Sequence, residues 1–175
     1  SGNLHLANAI VGSCLVILPL FANFSENNER GNYLAEDWGR NILQSLKPDG
    51  IIIPTSDHST FPLISLQAVE GVRPDVVIAD KYGYIEDRVF RNLFKGKDTP
   101  RVAPPLNRAP NEKQIYLIEQ SRKPVYFTTK VSIPGLQSHE LVTSGLIFEA
   151  VPKGTKPNDE EHKALWANFR FRPES

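Results

Sequence analysis

An uncharged run of apolar and small residues from Leu4 to Phe24 constrains this chain more than any other feature. A helix of about 20 such residues is long enough to cross the hydrocarbon core of a bilayer. The glycine and proline inside the run are tolerated in membrane helices, and the fully polar stretch 25–30 ends it. We therefore expect residues 1–24 to be an apolar helix that forms the end of a transmembrane span.

Two other interpretations of this run stay open. A signal peptide would carry a basic segment first and a small-residue cleavage site after Leu20, and the run has neither. A helix buried in a soluble core would have the same composition.

The sequence contains no methionine, even at position 1, so we expect it to be a processed or partial chain.

The charge balance, the cysteine count and the absence of known motifs argue against nucleic-acid binding, an internal disulfide, and cofactor or metal sites. Lys plus Arg equals Asp plus Glu, so the formal net charge is zero, and no basic patch favours nucleic acid as a partner. The single cysteine, Cys14, rules out an internal disulfide. No G-x-G-x-x-G or Walker loop is present, and metal-ligand spacings are absent, so we predict no cofactor and no metal site.

A strand–helix–strand pattern predicts a parallel sheet. Ile51–Ile53 and Val76–Ala79 are short apolar runs without alternation, which is typical of strands buried on both faces. Between them we predict a helix that is capped by Ser59 or Thr60 and ends at Gly71. An amphipathic helix over 33–46 precedes the first strand.

The remaining elements complete the prediction. We expect further helices over 85–94, 111–122 and 159–169, strands over 124–130 and 146–151, a surface excursion over 95–110, and a loop, with or without one short helix, over 133–145. The predicted fold class is α/β, a three-layer Rossmann-like domain whose mainly parallel sheet has about four strands with flanking helices. The α/β domain would occupy 25–152, and 153–175 would be a C-terminal linker and helix.

The loops after the first two strands hold the candidate ligand-binding residues. In an open parallel sheet, ligands bind at the carboxyl ends of strands beside helix N-termini. The candidates are Asp57, His58, Ser59, Thr60, Asp80 and Lys81. Their alternative interpretation is structural, since Ser and Thr cap helices and Asp favours turns. Catalytic residues are unknown at this point.

A charged turn follows the predicted second helix. Glu70, Gly71, Arg73 and Asp75 lie in one six-residue stretch before a buried strand. We interpret this stretch as structural, a helix stop in which Arg73 pairs with Glu70 or Asp75.

Several segments together resemble one protein family. They are the stretches 33–43, 56–63 and 66–76, Pro48, and the later pieces 124–127 and 145–152. The chain resembles a family of large polytopic bacterial membrane proteins, formerly of unknown function, that are grouped with GT-C-type protein O-mannosyltransferases. Relatives usually carry a Gly-Asp-Asn-Asp-like loop before Thr-Phe-Pro, where this chain has Ser56-Asp57-His58-Ser59.

The resemblance implies a layout and a role. Such proteins have many membrane helices, followed by an α/β region on the extracytoplasmic side, here the periplasmic side of a bacterial inner membrane. The implied role is that of an accessory domain of a membrane-embedded glycosyltransferase, not catalytic by itself. The resemblance also implies a polyprenyl-phosphate sugar donor and a catalytic acid outside this chain. The expected partners are the upstream part of the membrane protein, the membrane itself, and a protein acceptor or sugar.

Two other functions stay open at the level of sequence. One is a stand-alone binding module for a small polar ligand such as a sugar or a phosphate. The other is a self-sufficient hydrolase or transferase, which needs a paired nucleophile and base, whereas only His58 beside Asp57 suggests such a pair.

Overall fold

The computed structural model describes residues 2–24, 27–28, 31–79, 109–156 and 158–173. The chain divides into two units, Leu34–Arg172 and the N-terminal segment up to Tyr33 together with Pro173–Ser175. The predicted helix over 85–94 and most of the predicted surface excursion lie outside the described residues.

The N-terminal unit contains one long helix, α1 (Gly2–Phe24). Pro19 lies inside it and has no N–H to donate, and the Asn23 side-chain amide donates to the Pro19 carbonyl at 2.8 Å. No residue between His5 and Phe24 is buried, and this helix is long and apolar enough to span a membrane. A uniformly exposed apolar helix is unusual for a water-soluble protein, so the structure is consistent with membrane association.

Three parallel strands form one half of the sheet. β1 (Ile51–Ile53) pairs with β2 (Val77–Ile78) on one side and with β3 (Val125–Phe127) on the other. The predicted parallel strands are therefore present, although β2 is shorter than expected.

Helices lie on both faces of these strands. Ile52 faces a core built with α2 (Leu34–Ser45) and α3 (Asp57–Glu70), whereas Ile51 and Ile53 face a second core built with α4 (Pro110–Gln120). The chain passes from β1 through α3 to β2 and later through α4 to β3, on the other side of β1, so the two connections run in opposite directions across the sheet. Right-handed crossovers then place α3 and α4 on opposite faces.

The other half of the sheet is an antiparallel hairpin. β4 (His139–Ser144) and β5 (Ile147–Pro152) pair along their whole length, and β5 also pairs antiparallel with β3. The strand order is β2-β1-β3-β5-β4. The expected mainly parallel sheet of about four strands is therefore wrong in this half. The sheet is mixed, has five strands among the described residues, and is parallel only in β1–β3, so the Rossmann-like arrangement is not confirmed.

Several boundaries also differ from the prediction, among them those of β4, α3 and α4. The segment 133–145 is not a loop with a short helix, because β4 occupies its second half. α3 begins at Asp57 with Ser56 as N-cap, not at Ser59 or Thr60. α4 begins at Pro110, whose missing N–H suits the first helical position.

A last helix, α5 (Asp159–Asn168), leads into an extended C-terminal segment. Asn158 caps the helix by accepting from the Glu161 N–H at 3.2 Å. None of its residues is buried, and Trp166 remains 45% exposed. Contacts other than core burial must therefore hold α5 in place.

Candidate functional site

The carboxyl ends of β1 and β3 meet at the centre of the parallel half of the sheet. β1 continues toward α3 and then β2 on one side, whereas β3 lies on the other side of β1. Residues of the loops that follow the two strands line one crevice, at the edge where ligands bind in α/β sheets.

Five hydroxyl side chains tie the two strand ends together. The Thr128 hydroxyl accepts from the Thr55 backbone N–H at 3.1 Å and lies 3.3 Å from the Ser59 hydroxyl. The Thr55 hydroxyl donates to Thr129 at 2.9 Å, and Ser59 lies 3.2 Å from the Ser56 hydroxyl. These hydroxyls bind one another and the backbone, so their main role is to fix the crevice.

The N-terminus of α3 opens into this crevice. Ser56 has extended backbone (φ −149°) and its carbonyl accepts from the N–H groups of Ser59 and Thr60. The Ser59 hydroxyl accepts in turn from the Ser56 N–H at 3.2 Å. The N–H groups of Asp57 and His58 come first in the helix and have no carbonyl one turn earlier to bond. Partial positive charge therefore faces the crevice at this end of α3.

Apolar side chains from α2 and α3 extend the crevice into a cleft of about 750 Å³. Its walls are Leu34, Ala35 and Trp38 from α2, and Phe61 and Pro62 from α3. Leu34 and Phe61 are 65% and 51% exposed, so both present apolar surface to a ligand. A mostly apolar wall with a few convergent polar groups is the usual composition of a ligand site.

The predicted site residues separate into three groups. Asp57 and His58 are exposed and line the cleft, whereas Ser59, which also lines it, and Thr60 are buried. Thr60 donates its hydroxyl to the Ser56 carbonyl at 2.8 Å, which is a structural bond. Asp80 and Lys81 lie outside the described residues.

Sequence reasoning missed the second wall of the cleft. Thr128 and Thr129 follow the last residue of β3 but were counted within a strand predicted over 124–130. If the sequence had shown that this strand lies beside β1, both threonines would have been placed at the site. The local pattern does not determine which strand lies beside β1.

Among the described residues, no group of three or more His, Cys, Asp or Glu side chains could hold a metal ion.

The charged turn after α3 fastens the end of α2. Gly71 adopts a left-handed conformation (φ 71°) and its N–H donates to the Gln67 carbonyl, which ends α3. Arg73 donates to the carbonyls of Leu43, Leu46 and Lys47 at 2.7, 2.8 and 3.2 Å, and it binds Asp75 through both oxygens at 2.8 Å. One guanidinium therefore satisfies several carbonyls that a helix end leaves open.

Ion pairs around this turn shift the titration of their carboxylates. The Arg73 guanidinium lowers the pKa of Asp75 to about 2. Arg40 pairs with both Glu36 and Glu70, and its hydrogen bond lowers the pKa of Glu36. Glu70 thus pairs with α2 and not with Arg73, and the turn is built of side chains that support α2.

Comparison with known proteins connects this region to a glycosyltransferase. Residues 35–87 match the family model of TMEM260-associated domain 2. A Mus musculus protein, protein O-mannosyl-transferase TMEM260, is 33% identical over 66 residues, which is 38% of this chain and 9% of the mouse protein. No solved structure is significantly similar to the chain.

These matches show a partial and distant similarity. The family match covers α2 from its second residue, β1, the loop 54–56, α3, the turn that contains Arg73, and β2, together with residues 80–87. The chain spans less than a tenth of the length of the mouse relative. The region that forms the cleft is therefore similar to a domain that is associated with a protein O-mannosyltransferase.

Proposed function

We propose that this chain is an extracytoplasmic accessory region of a membrane-embedded, protein O-mannosyltransferase-like glycosyltransferase. In this proposal the sugar comes from a polyprenyl-phosphate carrier, and the catalytic residues lie outside the chain. The α/β region would be on the periplasmic side of a bacterial inner membrane, where it supports the membrane-embedded part or holds the acceptor.

The match of residues 35–87 to a TMEM260-associated domain is the observation that carries this proposal. The exposed apolar helix α1 supports it, because a helix of this length and composition can anchor the α/β region to a bilayer. An accessory role is also supported by the chemistry of the cleft, where the hydroxyls of Ser59 and Thr128 are engaged in fixing the strand ends.

Sugar transfer in membrane vesicles tests the catalytic assignment. The full gene product that carries this chain should transfer sugar from a polyprenyl-phosphate donor to a protein acceptor, whereas the 175-residue chain alone should not. Phe61→Asp in the cleft should raise the KM for the acceptor more than it lowers kcat. The control Val69→Asp changes an exposed apolar residue of α3 that does not line the cleft and should leave both constants unchanged.

The native cysteine tests the membrane assignment. Cys14 is the only cysteine and its side chain is exposed within α1. In intact vesicles, Cys14 should resist a water-soluble maleimide until detergent is added, whereas a cysteine placed at the exposed Lys156 in a Cys14→Ser background should react from the extracytoplasmic side. Rapid labelling of Cys14 before detergent would contradict the transmembrane assignment.

The cleft itself favours a second candidate, a stand-alone module that binds a small polar ligand. The exposed Asp57 and His58, the start of α3 and the wall residue Phe61 can provide polar and apolar contacts together. A ligand that binds only the folded state raises the melting temperature with its concentration. Sugars and inorganic phosphate should therefore raise it in the wild type and not in Phe61→Asp, and no shift with either class would exclude this candidate.

A further inference from the structure

The extended segment after α5 lies along α2 and is bound there through its backbone. The Asn41 side-chain amide donates to the Arg170 carbonyl at 2.7 Å, and its oxygen accepts from the Arg170 N–H at 2.9 Å. Asn41 is completely buried. An amide that pairs with both backbone groups of one residue recognises an extended chain whatever side chain that residue carries.

A second residue of α2, one helical turn before Asn41, also binds the backbone of the segment. Asp37, which is 3% exposed, accepts from the Arg172 backbone N–H at 2.8 Å and from its guanidinium Nε at 2.8 Å. Positions four apart on a helix are separated by about 6 Å along its axis. Positions two apart on an extended chain are separated by about 6.6 Å, so the two spacings match.

The guanidinium of Arg172 gives this end of the segment a charge preference. It also pairs with Glu36 at 3.1 Å, so two adjacent carboxylates of α2 face one cation. The hydrogen bond from Arg172 lowers the pKa of Asp37. A neutral or acidic residue in place of Arg172 would leave the buried Asp37 without this cation, whereas Glu36 would keep its pair with Arg40.

An aromatic residue occupies the other end of the segment. Gly145, in the turn between β4 and β5, has a φ of 61°, and a Cβ added there would lie 2.8 Å from Phe169 Cζ. The absence of a side chain at Gly145 therefore makes the space that Phe169 fills. The three contacts together define an extended segment with an aromatic residue followed three positions later by arginine.

The segment 169–172 is bound mainly by polar contacts to α2, and α5 before it is bound by few contacts, among them the Gly145 N–H to His162 Nδ1 at 3.3 Å and the Lys47–Glu161 pair. α5 has no buried residue, and the connection 153–156 before it is exposed, with Gly154 at a φ of 83°. The groove formed by Asp37, Asn41 and Gly145, which we call the α2 groove, consists of residues on α2 and in the turn between β4 and β5.

We propose that the α2 groove is a binding site for an extended polypeptide with an aromatic residue and an arginine three positions later. The chain's own segment 169–172 occupies it in cis, and a partner polypeptide of the same chemistry can exchange into it. This inference goes beyond the proposed function and does not depend on it. A tethered segment competes at an effective concentration of about 1 mM, so the cis segment acts as a built-in competitor.

Binding of a labelled peptide in trans tests the inference. The peptide carries residues 166–172, and the protein is the full chain with Phe169→Ala and Arg172→Ala, which weaken the cis segment. This variant should bind the peptide, the wild-type chain should bind it at least about tenfold more weakly, and adding Asn41→Ala should abolish binding. A peptide with Arg172→Ala should bind about tenfold more weakly, because a charge-assisted hydrogen bond is lost.

A second experiment covers the case in which the double variant does not fold. A protease site inserted between Lys153 and Lys156 allows the connection to be cut in the otherwise unchanged folded protein. The released segment should then exchange with the labelled peptide, and a peptide of scrambled order should not exchange. A segment that never exchanges while the sheet stays protected from hydrogen exchange would overturn the inference, as would binding that is indifferent to Asn41.

Discussion

Arg73 should contribute more to the stability of the α/β unit than any other charged side chain of the turn after α3. It makes three hydrogen bonds to carbonyls at the end of α2 and two to Asp75, and its side chain is only 24% exposed. Hydrogen bonds from a charged group contribute about 1.5–3 kcal/mol each. They do not add fully, because water can reach part of this site, so Arg73→Ala should lower the free energy of unfolding by about 3 kcal/mol.

The backbone of Arg73 allows a sharper comparison. Its φ is 49°, a left-handed conformation that costs a non-glycine residue about 1 kcal/mol. Arg73→Gly loses the same hydrogen bonds but relieves this cost, so it should be about 1 kcal/mol less destabilising than Arg73→Ala. Arg73→Lys keeps the charge without the planar fork and should fall between the wild type and Arg73→Ala.

Urea unfolding in mild detergent, followed by the fluorescence of Trp38 in a Trp166→Phe background, measures these differences. Trp38 packs against the core cluster that contains the helix α2 residues Ile42 and Leu43. Arg122→Ala is the matched control, because Arg122 also has a positive φ, 54°, and is exposed. An Arg73→Ala variant as stable as Arg122→Ala would refute the capping role of the guanidinium.

Three further predictions concern the turn, the hairpin and the crevice. The pKa of Asp75 is depressed to about 2 in the folded protein, so its contribution to stability is present above about pH 4 and is lost as the pH falls toward 2; urea midpoints between pH 2 and 5 should change less in Asp75→Asn than in the wild type. Gly145→Ala should cost about 2 kcal/mol in urea unfolding from strain and the clash with Phe169, whereas Gly154→Ala, with nothing within 4 Å, should cost about 1 kcal/mol. Thr128→Val should cost about 1–2 kcal/mol in the same assay by removing the acceptor of the Thr55 N–H, and an unchanged midpoint would contradict the role of the hydroxyl cluster.

The parts of the fold that local patterns determine could be predicted from the sequence. The uncharged run became α1, and the apolar runs at Ile51 and Val77 became parallel strands on either side of α3 in the chain. Gly71 ends α3 as predicted, because only a left-handed residue completes that helix end.

The parts that depend on distant partners could not be predicted. β4 has a mixed burial pattern, and its strand is defined by pairing with β5, so its own residues carry no clear alternation. Asp37 and Asn41 are buried polar residues on α2 whose partners lie 135 and 129 positions away. Thr128 joins the crevice only because β3 lies beside β1, which the order of elements along the chain does not dictate.

The N-cap of α3 shows a further limit of local reasoning. Ser56, Ser59 and Thr60 are all suitable caps by residue type. In the structure Ser56 is the N-cap. Its N–H donates to the Ser59 hydroxyl, and Ser59 and Thr60 already lie buried in the first turn of the helix. The hydroxyls of Ser59 and Thr60 thus bond to Ser56 within the first turn, and Asp57 and His58 are the exposed polar side chains of the predicted set that line the cleft.

Sugar transfer by the full gene product, compared with transfer by the 175-residue chain, tests the central claim most directly. With a radiolabelled polyprenyl-phosphate mannose donor and a protein acceptor in membrane vesicles, we predict transfer by the full gene product and none by the chain alone. Turnover by the chain alone, or a full gene product that is correctly inserted in the membrane and transfers no sugar, would contradict the account.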